Sequence, residues 1–440
     1  SIGIHDYEVD EGEKTGAVFG RFFRYFKKRK LLKLKLKWGL LPAVICAIAA
    51  GIVCGLFFPP WLTRVFITVN GLFGNFLGFI IPLLIVGLVA PGIAELGRSA
   101  GKMLLITTVL AYGFTLAAGF FSYGVADLTY PWIITAADRI TSFGQAVALK
   151  PYFTIAMPPL MDVMTALVLA FTLGLGMAVI NGTRLKGAMQ DFRDIIDHVI
   201  VAVIIPLLPL YIFGIFLNMT VGGQVATVLG VFAKIIVLIF AITAVMLVLQ
   251  FTLAGLVAHK NPFSMLKTMM VSYMTALGTQ SSAATIPVNL KQVEKLGVQK
   301  EIAGFVVPLC ATIHLSGSTM KIVACSMAIF LMLGRPLDFA QYAGFIFMLG
   351  ITMVAAPGVP GGAIMAALGI LQSMLGFGET ELGLMIALYI AMDSFGTACN
   401  VTGDGAIAVL VNKIYARHPV IPAPMPPQET TGNPQGVHIG

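Results

Sequence analysis

Long apolar stretches, separated by short polar or basic connections, make up most of the chain. Many contain about 20 residues, the length that a helix needs to cross roughly 30 Å of hydrocarbon. The pattern predicts membrane spans at 38–58, 65–90, 103–125, 160–181, 197–218, 225–258, 302–333 and 380–412. Composition agrees, since 58% of the 440 residues are hydrophobic and only 11% are charged, which is more apolar than a soluble domain needs to be. We therefore predict an all-α, polytopic membrane protein.

Small and polar residues interrupt two of the later apolar regions. The interruptions are TALGTQSSAATIP at 275–287 and MVAAPGVPGG at 353–362, and each separates two apolar arms too short to cross a bilayer alone. Non-helical backbone at membrane depth is tolerated where protein encloses it, so the pattern predicts two re-entrant helical hairpins. A long span follows each hairpin, which indicates inverted repeats with a substrate site near the midplane. The alternative is that glycine and proline only kink two ordinary helices.

Basic residues are concentrated just before the first span and contribute much of the net charge of +8. The segment RFFRYFKKRKLLKLKLK at 21–37 favours the cytoplasmic side and anionic lipid. We predict a multi-pass protein of the cell membrane (inner or plasma membrane) with both termini cytoplasmic, and a lipid bilayer rather than nucleic acid as its partner. The basic segment either only sets topology or also responds to specific lipids. The five cysteines lack metal-ligand spacing and are interpreted as packing residues.

Four polar residues of the last span repeat at helical spacing. Asp393, Thr397, Asn400 and Asp404 are separated by four, three and four residues, which places them on one face of a helix. A carboxylate in hydrocarbon is costly unless it faces a cavity, a cation or a partner group. The stripe therefore predicts cation or ammonium binding. The alternative is a polar stripe that only holds helices together.

The segment CATIHLSGSTMKIV at 310–323 carries basic residues inside an apolar run. His314 is interpreted as a hydrogen-bonding residue, a proton-coupling group or, failing these, a transition-metal ligand. Lys321 is interpreted either as a built-in cation that replaces part of a missing sodium ion, or as a lysine that snorkels to water or pairs with a structural acid. On a regular helix, His314, Ser318 and Lys321 would share one face.

Four segments together resemble the dicarboxylate/amino acid:cation symporter family, which has the glutamate transporter fold. They are TQSSAATIPVNLKQVEKLG at 279–297, CATIHLSGS at 310–318, GVPGG at 358–362 and DSFGTACNVTGD at 393–404. The resemblance covers about residues 37–415, and the motifs are most similar to the bacterial serine/threonine:sodium symporter branch. It implies a homotrimer with eight transmembrane helices, two re-entrant hairpins and an elevator-type mechanism in which the second hairpin is the gate.

The resemblance also implies a division of the chain into a static scaffold and a mobile transport domain. The predicted units are a cytoplasmic segment (1–36), scaffold helices 1–2 (37–93), transport helix 3 (94–125), an external loop with scaffold helices 4–5 (126–218), transport helix 6 (219–260), the first hairpin (261–299), broken helix 7 (300–334), the second hairpin (335–375), helix 8 (376–415) and a disordered tail (416–440).

By the same resemblance, the hairpin tips hold the carboxylate of a substrate and Asp393 pairs with its α-ammonium. The implied substrate-binding residues are Ser281, Ser282, Ser318, Val359, Pro360, Gly361, Asp393, Gly396, Thr397 and Asn400. Family members that carry acidic amino acids have an arginine where this chain has Gly396. Without that guanidinium an acidic side chain is left unpaired, so glutamate and aspartate are disfavoured.

The resemblance further implies sodium sites built from backbone carbonyls and from side chains of the last span. The implied cation ligands are Cys310, Thr312, His314, Met353, Val354, Ala356, Asn400 and Asp404. Ser316 stands where relatives have an aspartate ligand, which disfavours a third sodium ion. His314 and Lys321 are the candidates for ion coupling or charge substitution.

The predicted function is secondary active, cation-coupled uptake of small neutral amino acids such as serine, threonine or alanine. Sodium is the expected coupling ion, a proton is the alternative, and no other cofactor is expected. A rival is a carrier of another small carboxylate, either a dicarboxylate or an acidic amino acid. A channel and a membrane enzyme are the other classes, and no activated nucleophile or metal cluster supports an enzyme.

Overall fold

The computed structural model describes residues 40–98, 102–140, 149–180, 183–354, 356 and 360–416, which form helices and connecting turns with no β-strand. The predictions for 1–36 and 417–440 lie outside these residues. The helices are α1 (Leu40–Phe57), α2 (Pro60–Arg98), α3 (Lys102–Ile133), α4 (Val163–Val179), α5 (Thr183–Val199), α6 (Ile205–Val221), α7 (Val225–Ala258), α8 (Pro262–Thr279), α9 (Ser282–Lys295), α10 (Lys300–Ile313), α11 (Ser316–Met332), α12 (Phe339–Val354), α13 (Gly362–Leu375), α14 (Glu379–Ala391) and α15 (Asp393–Ala416). A 3₁₀ turn at Ala136–Asp138 and a π-helical segment at Ile200–Ile204 complete the order.

Several helices have the length and apolar composition of membrane spans. In the described part of the chain six segments qualify, or seven if the bent pair α14 and α15 forms one span. The polytopic, all-helical class is therefore confirmed. The predicted eighth span at 160–181 corresponds to α4, which is apolar but has 17 residues, so the count of eight stays a prediction.

The helices pack as two sets. In one set α1 lies against α6, and α2 lies against α4 and α5; in the other, α11 packs on α3, and α15 packs on α7, α8 and α10. Almost every residue of α11 is buried, whereas only 17% of α1 is buried. A helix surrounded by protein on all sides is expected to carry the polar groups that a bilayer would not tolerate. The central position of α10, α11 and α15 therefore determines where the site lies.

Two helix pairs correspond to the predicted hairpins. In the first, α8 begins at its Asn261 cap and ends at Gln280, which is left-handed (φ 54°), and α9 then packs back on α8. In the second, α13 begins after Gly361, whose φ of 76° suits glycine, and packs back on α12. The helix–turn–helix shape is observed in both, and their re-entrant placement in a membrane stays a prediction.

Two helix breaks correct the sequence predictions. The backbone leaves the helix at His314 and Leu315, so the expectation that His314, Ser318 and Lys321 share one helical face was wrong. The predicted continuous span at 380–412 is bent by 62° at Met392. The predicted boundary at residue 125 also falls inside α3, which continues to Ile133.

Tertiary contacts explain why the first break is tolerated. The amide of Leu315 donates to Thr115 Oγ1 at 3.4 Å, and the amide of Gly317 donates to Asn400 Oδ1 at 2.8 Å. Side chains from α3 and α15 thus accept hydrogen bonds from donors that a continuous helix would satisfy internally. Local sequence pattern does not contain these partners.

Candidate substrate and cation site

A small cavity lies where several helix ends meet. Four helices begin at it, and each contributes a lining residue from its first turn: Ser282 of α9, Ser318 of α11, Ala363 of α13 and Asp393 of α15. The amide groups of a first helical turn have no partner within the helix, and the helix dipole is positive there. Four such ends around one cavity favour an anionic group such as a carboxylate.

Three helices end at the same cavity. Gln280 follows α8, Thr312 lies in the last turn of α10 and Ala356 follows α12, and all three residues line the cavity. Carbonyl groups at helix C-termini favour a cation. The cavity, with a volume of about 40 Å³, is therefore surrounded by both donor ends and acceptor ends.

The polar stripe of α15 extends across two environments. Asp393, Thr397 and Asn400 line the cavity, while Asp404 lies deeper and is fully buried. All four residues belong to one continuous helix, so the predicted shared face exists. Their roles differ because neighbouring elements give each carboxylate a different partner.

The carboxylate of Asp393 is held from two sides. Its Oδ2 accepts a hydrogen bond from the amide of Gly361 at 2.8 Å, which ties the turn between α12 and α13 to α15. Its Oδ1 lies 3.5 Å from Nζ of Lys321. Asp393 is only 6% exposed, and an acid this buried needs such partners.

Lys321 is enclosed and does not reach water, so the snorkelling interpretation is wrong. Besides the ion pair with Asp393, its Nζ donates to the carbonyl of Met392 at 3.2 Å and lies 3.8 Å from the ring centre of Tyr389. The carbonyl is at the bend after α14, where the helix dipole is negative, and the ring face attracts a cation. The side chain occupies the space that a Cβ on Gly396 would take. Lys321 thus fills the position where the family resemblance implies an arginine in acidic amino acid carriers.

Ser318 is the centre of a buried hydrogen-bond network. Its Oγ accepts from the hydroxyl of Tyr389 at 2.8 Å and from Nδ2 of Asn400 at 3.2 Å. The close approach of α11 to α15 depends on Gly317, because an added Cβ would lie 2.6 Å from the carbonyl oxygen of Gly396. Sequence reasoning missed Tyr389, although its position four residues before Asp393 is a signal that could have suggested it.

Asp404 has a different basic partner. Its Oδ1 lies 2.9 Å from Nδ1 of His314, and both side chains are fully buried. Gly403 leaves room for this pair, since an added Cβ would lie 2.6 Å from Cε1 of His314 and 2.7 Å from Oε1 of Gln250. Among the residues that the structure describes, no hydrogen-bond partner exists for Asp404 Oδ2, His314 Nε2 or either amide atom of Gln250. These atoms can still bind a small polar species.

The predicted cation ligands are brought close together, but several already have protein partners. The carbonyl of Cys310 accepts from the amide of His314 at 2.9 Å, and the carbonyl of Met353 accepts from the amide of Ala356 at 3.2 Å. Val354 is the last residue of α12 and therefore lies beside that carbonyl. Within the described ranges no group of three or more His, Cys, Asp and Glu side chains could hold a metal, so nothing there favours a transition-metal role for His314.

The predicted hairpin-tip residues differ in their relation to the cavity. Ser282 lines it, whereas Ser281 caps α9 by accepting a hydrogen bond from the amide of Ala284 at 3.3 Å. Pro360 directly precedes Gly361, whose amide reaches Asp393. Val359 lies outside the described residues. The assignment of substrate contacts at both tips stays a prediction.

Comparison with known proteins agrees with the motif resemblance. The chain is 29% identical over 399 residues to the serine/threonine transporter SstT of Acinetobacter baumannii (strain AYE), covering 85% of this chain and 96% of that relative. It is 27% identical over 350 residues to the serine/threonine transporter SstT of Streptococcus suis (strain 05ZYH33), covering 76% and 95%. The sequence profile of the sodium:dicarboxylate symporter family matches residues 40–414. Because this match spans most of its length, the chain belongs to the sodium:dicarboxylate symporter family and is a multi-pass membrane transporter.

Proposed function

We propose that this transporter couples a cation gradient to the uptake of small neutral amino acids, with serine, threonine and alanine as first candidates. The observation that carries the proposal is the cavity at which four helices begin and three end. Helix N-termini stabilise a substrate carboxylate, and Asp393 offers an acceptor for an ammonium. The transport of serine and threonine named for the relatives supports the same class.

The small cavity and the lack of a guanidinium at Gly396 support a neutral substrate side chain. Gly396 contributes no side chain, and the nearby cation Lys321 is already engaged by Asp393 and Met392. A second carboxylate on the substrate would therefore be desolvated without a fixed partner, which is costly.

Sodium is the proposed coupling ion, bound near Asp404, Asn400 and the carbonyl ends of α10 and α12. Carboxylate, amide and carbonyl oxygens are the ligands that broken helices offer to sodium. The contact between His314 and Asp404 also supports a proton as the alternative coupling ion, because histidine exchanges protons near neutral pH. Both alternatives use the same carboxylate.

The proposed mechanism is of the elevator type in a homotrimer, with α12 and α13 as the gate. The hydrogen bond from Gly361 to Asp393 supports the gate, because it joins the turn between these helices to the substrate-lining face of α15. Exposed apolar side chains on α1 and α4, such as Phe57 and Val168, support contact with lipid or with other subunits. We place the protein in the inner or plasma membrane with both termini cytoplasmic.

Uptake into proteoliposomes tests the proposed function. The purified chain is reconstituted and offered a panel of labelled amino acids and organic acids under a sodium gradient alone, a proton gradient alone, or neither. The expected result is saturable serine, threonine or alanine accumulation that requires one of the gradients. Strong dicarboxylate uptake with no amino acid uptake would overturn the assignment, and unsaturable flux would indicate a channel.

A further inference from the structure

The ion pair between Lys321 and Asp393 bears on which substrates the site accepts, and the inference rests on the substrate site proposed above. Asp393 lines the cavity, whereas Lys321 does not line it and is 1% exposed. The ammonium therefore approaches the carboxylate from behind, on the side away from the cavity. A substrate can reach Asp393 without displacing Lys321.

The charge of Asp393 has to be balanced whether or not a substrate brings a cation. A buried carboxylate with no cation nearby would repel a substrate carboxylate, and only a substrate with its own ammonium could bind. Lys321 provides a positive charge 3.5 Å from Oδ1 of Asp393. The pair as a whole is neutral, so the amino group of the substrate is no longer needed for charge balance.

Several contacts fix Lys321 in this position. The carbonyl of Met392 accepts from its Nζ, the ring of Tyr389 lies against it, and the missing side chain of Gly396 leaves the space that it fills. These contacts come from the bend between α14 and α15, and they do not depend on the substrate. The cation is therefore a permanent part of the site.

We propose that Lys321 replaces the substrate ammonium as the cation of Asp393, so that the site also binds small 2-hydroxy monocarboxylates of the size of serine and alanine. The carboxylate of such a ligand meets the helix N-termini at Ser282 and Ala363. Its 2-hydroxyl group donates to Asp393 in place of the ammonium. A dicarboxylate is excluded, because Lys321 balances only one acid and that acid is Asp393. Lys321 acts through Asp393 and is a positioning residue.

Pairs of ligands that differ only in the amino group provide the test. Binding of L-serine and L-glycerate, and of L-alanine and L-lactate, is measured by calorimetry on the full chain in nanodiscs. We expect L-glycerate to bind the wild-type protein within about tenfold of L-serine, the factor that corresponds to 1.4 kcal/mol. A wild-type protein that binds L-serine and shows no L-glycerate binding would overturn the inference, and so would one that binds neither ligand.

Lys321→Met separates this role from a merely structural one. The variant should bind L-glycerate at least about tenfold more weakly, because Asp393 is then unbalanced, and L-serine as tightly or more tightly. Equal weakening of both ligands would show a structural role and contradict the proposal. Lys234→Met is the matched control, since Lys234 is exposed on α7 and its Nζ donates to the carbonyl of Ile133.

The double variant Lys321→Met/Asp393→Asn keeps the test valid if the single variant folds poorly. It removes both charges, so the site is neutral again and the affinity for L-glycerate should return towards that of the wild type, while L-serine loses its acceptor. No recovery in a folded double variant would contradict the proposal. The transport proposal fails separately: if L-glycerate binds and no amino acid is accumulated under any gradient, the uptake assignment is wrong and the role of Lys321 stands.

Discussion

The two buried carboxylates of α15 lie on one helical face, yet their surroundings differ. Asp393 borders the cavity and is held by a lysine and by the backbone of the turn between α12 and α13. Asp404 is fully buried, and its basic partner is His314 at the break between α10 and α11. One acid is thus connected to the substrate cavity and the proposed gate, and the other to the region of the proposed coupling ion.

The nature of the basic partner is the main difference. An unperturbed lysine is charged throughout the physiological range, whereas histidine changes charge within it. The partner of Asp393 therefore suits a constant role, such as setting which substrates bind. The partner of Asp404 suits a variable role, because its unpaired atoms and those of Gln250 can accommodate a cation, a proton or water.

Asp393→Asn should have the largest effect on stability. It leaves the Lys321 ammonium buried without its acid, which costs about 3–5 kcal/mol in comparable pairs. Thermal unfolding of the purified protein should show this loss, and adding Lys321→Met should recover most of it. If Asp393→Asn were as stable as wild type, the view that this pair is a permanent ion pair would be wrong.

Two glycine substitutions should damage the two regions separately. Gly396→Ala places a methyl group on Lys321, and Gly403→Ala places one against His314 and Gln250; overpacking of this kind costs about 1–3 kcal/mol. We expect Gly396→Ala to change substrate selection and Gly403→Ala to change the dependence of uptake on the cation gradient. Uptake assays with several substrates and gradients distinguish the two effects.

Gly230→Ala is the control for both substitutions, because an added Cβ there meets nothing within 4 Å. Alanine in an open helical position should change stability by no more than about 1 kcal/mol. The same functional change in Gly396→Ala and Gly403→Ala would mean that the two regions act as one unit.

Gly361→Ala should weaken the link between the turn and Asp393. The residue has a φ of 76°, and a left-handed conformation costs a residue with a side chain about 1–2 kcal/mol. The nearest atoms are 3.9 Å from an added Cβ, so the effect is conformational and not steric. Limited proteolysis of the turn should become faster, with no change in the cation dependence of uptake; a change in that dependence would argue against separate regions.

Asp404→Asn should have the smallest effect on stability and a clear effect on coupling. Asparagine can still form a hydrogen bond with His314, so the loss should be about 1 kcal/mol. Uptake should become independent of the coupling gradient, because the carboxylate proposed for the ion is gone. Retained gradient dependence would place the coupling ion elsewhere.

Much of the fold was predictable because its signals are local. The apolar segments at 38–58 and 225–258 closely match α1 and α7, since hydrophobic length alone identifies a span. The turn at Gly361 was predictable from its glycine-rich context. The bend at Met392 was not, because Lys321 of α11 accounts for it and no proline or glycine marks it in the sequence.

Parts of the site were predictable for the same reason. The spacing of Asp393, Thr397, Asn400 and Asp404 fixes their shared face, since all lie on one helix. The role of Lys321 was left open between a built-in cation, snorkelling and a structural pair. Tyr389, Gly403 and Gln250 were missed because their importance depends on contacts between distant helices.

The sequence by itself determined the all-helical membrane class, the family and the placement of two acids on one helical face. These follow from hydrophobic length, helical period and motif, which are properties of neighbouring residues. Only the tertiary structure decided that Lys321 pairs with Asp393 and His314 with Asp404. A buried charge takes the partner that packing brings within a few ångströms, and packing across helix breaks is not encoded in any local pattern.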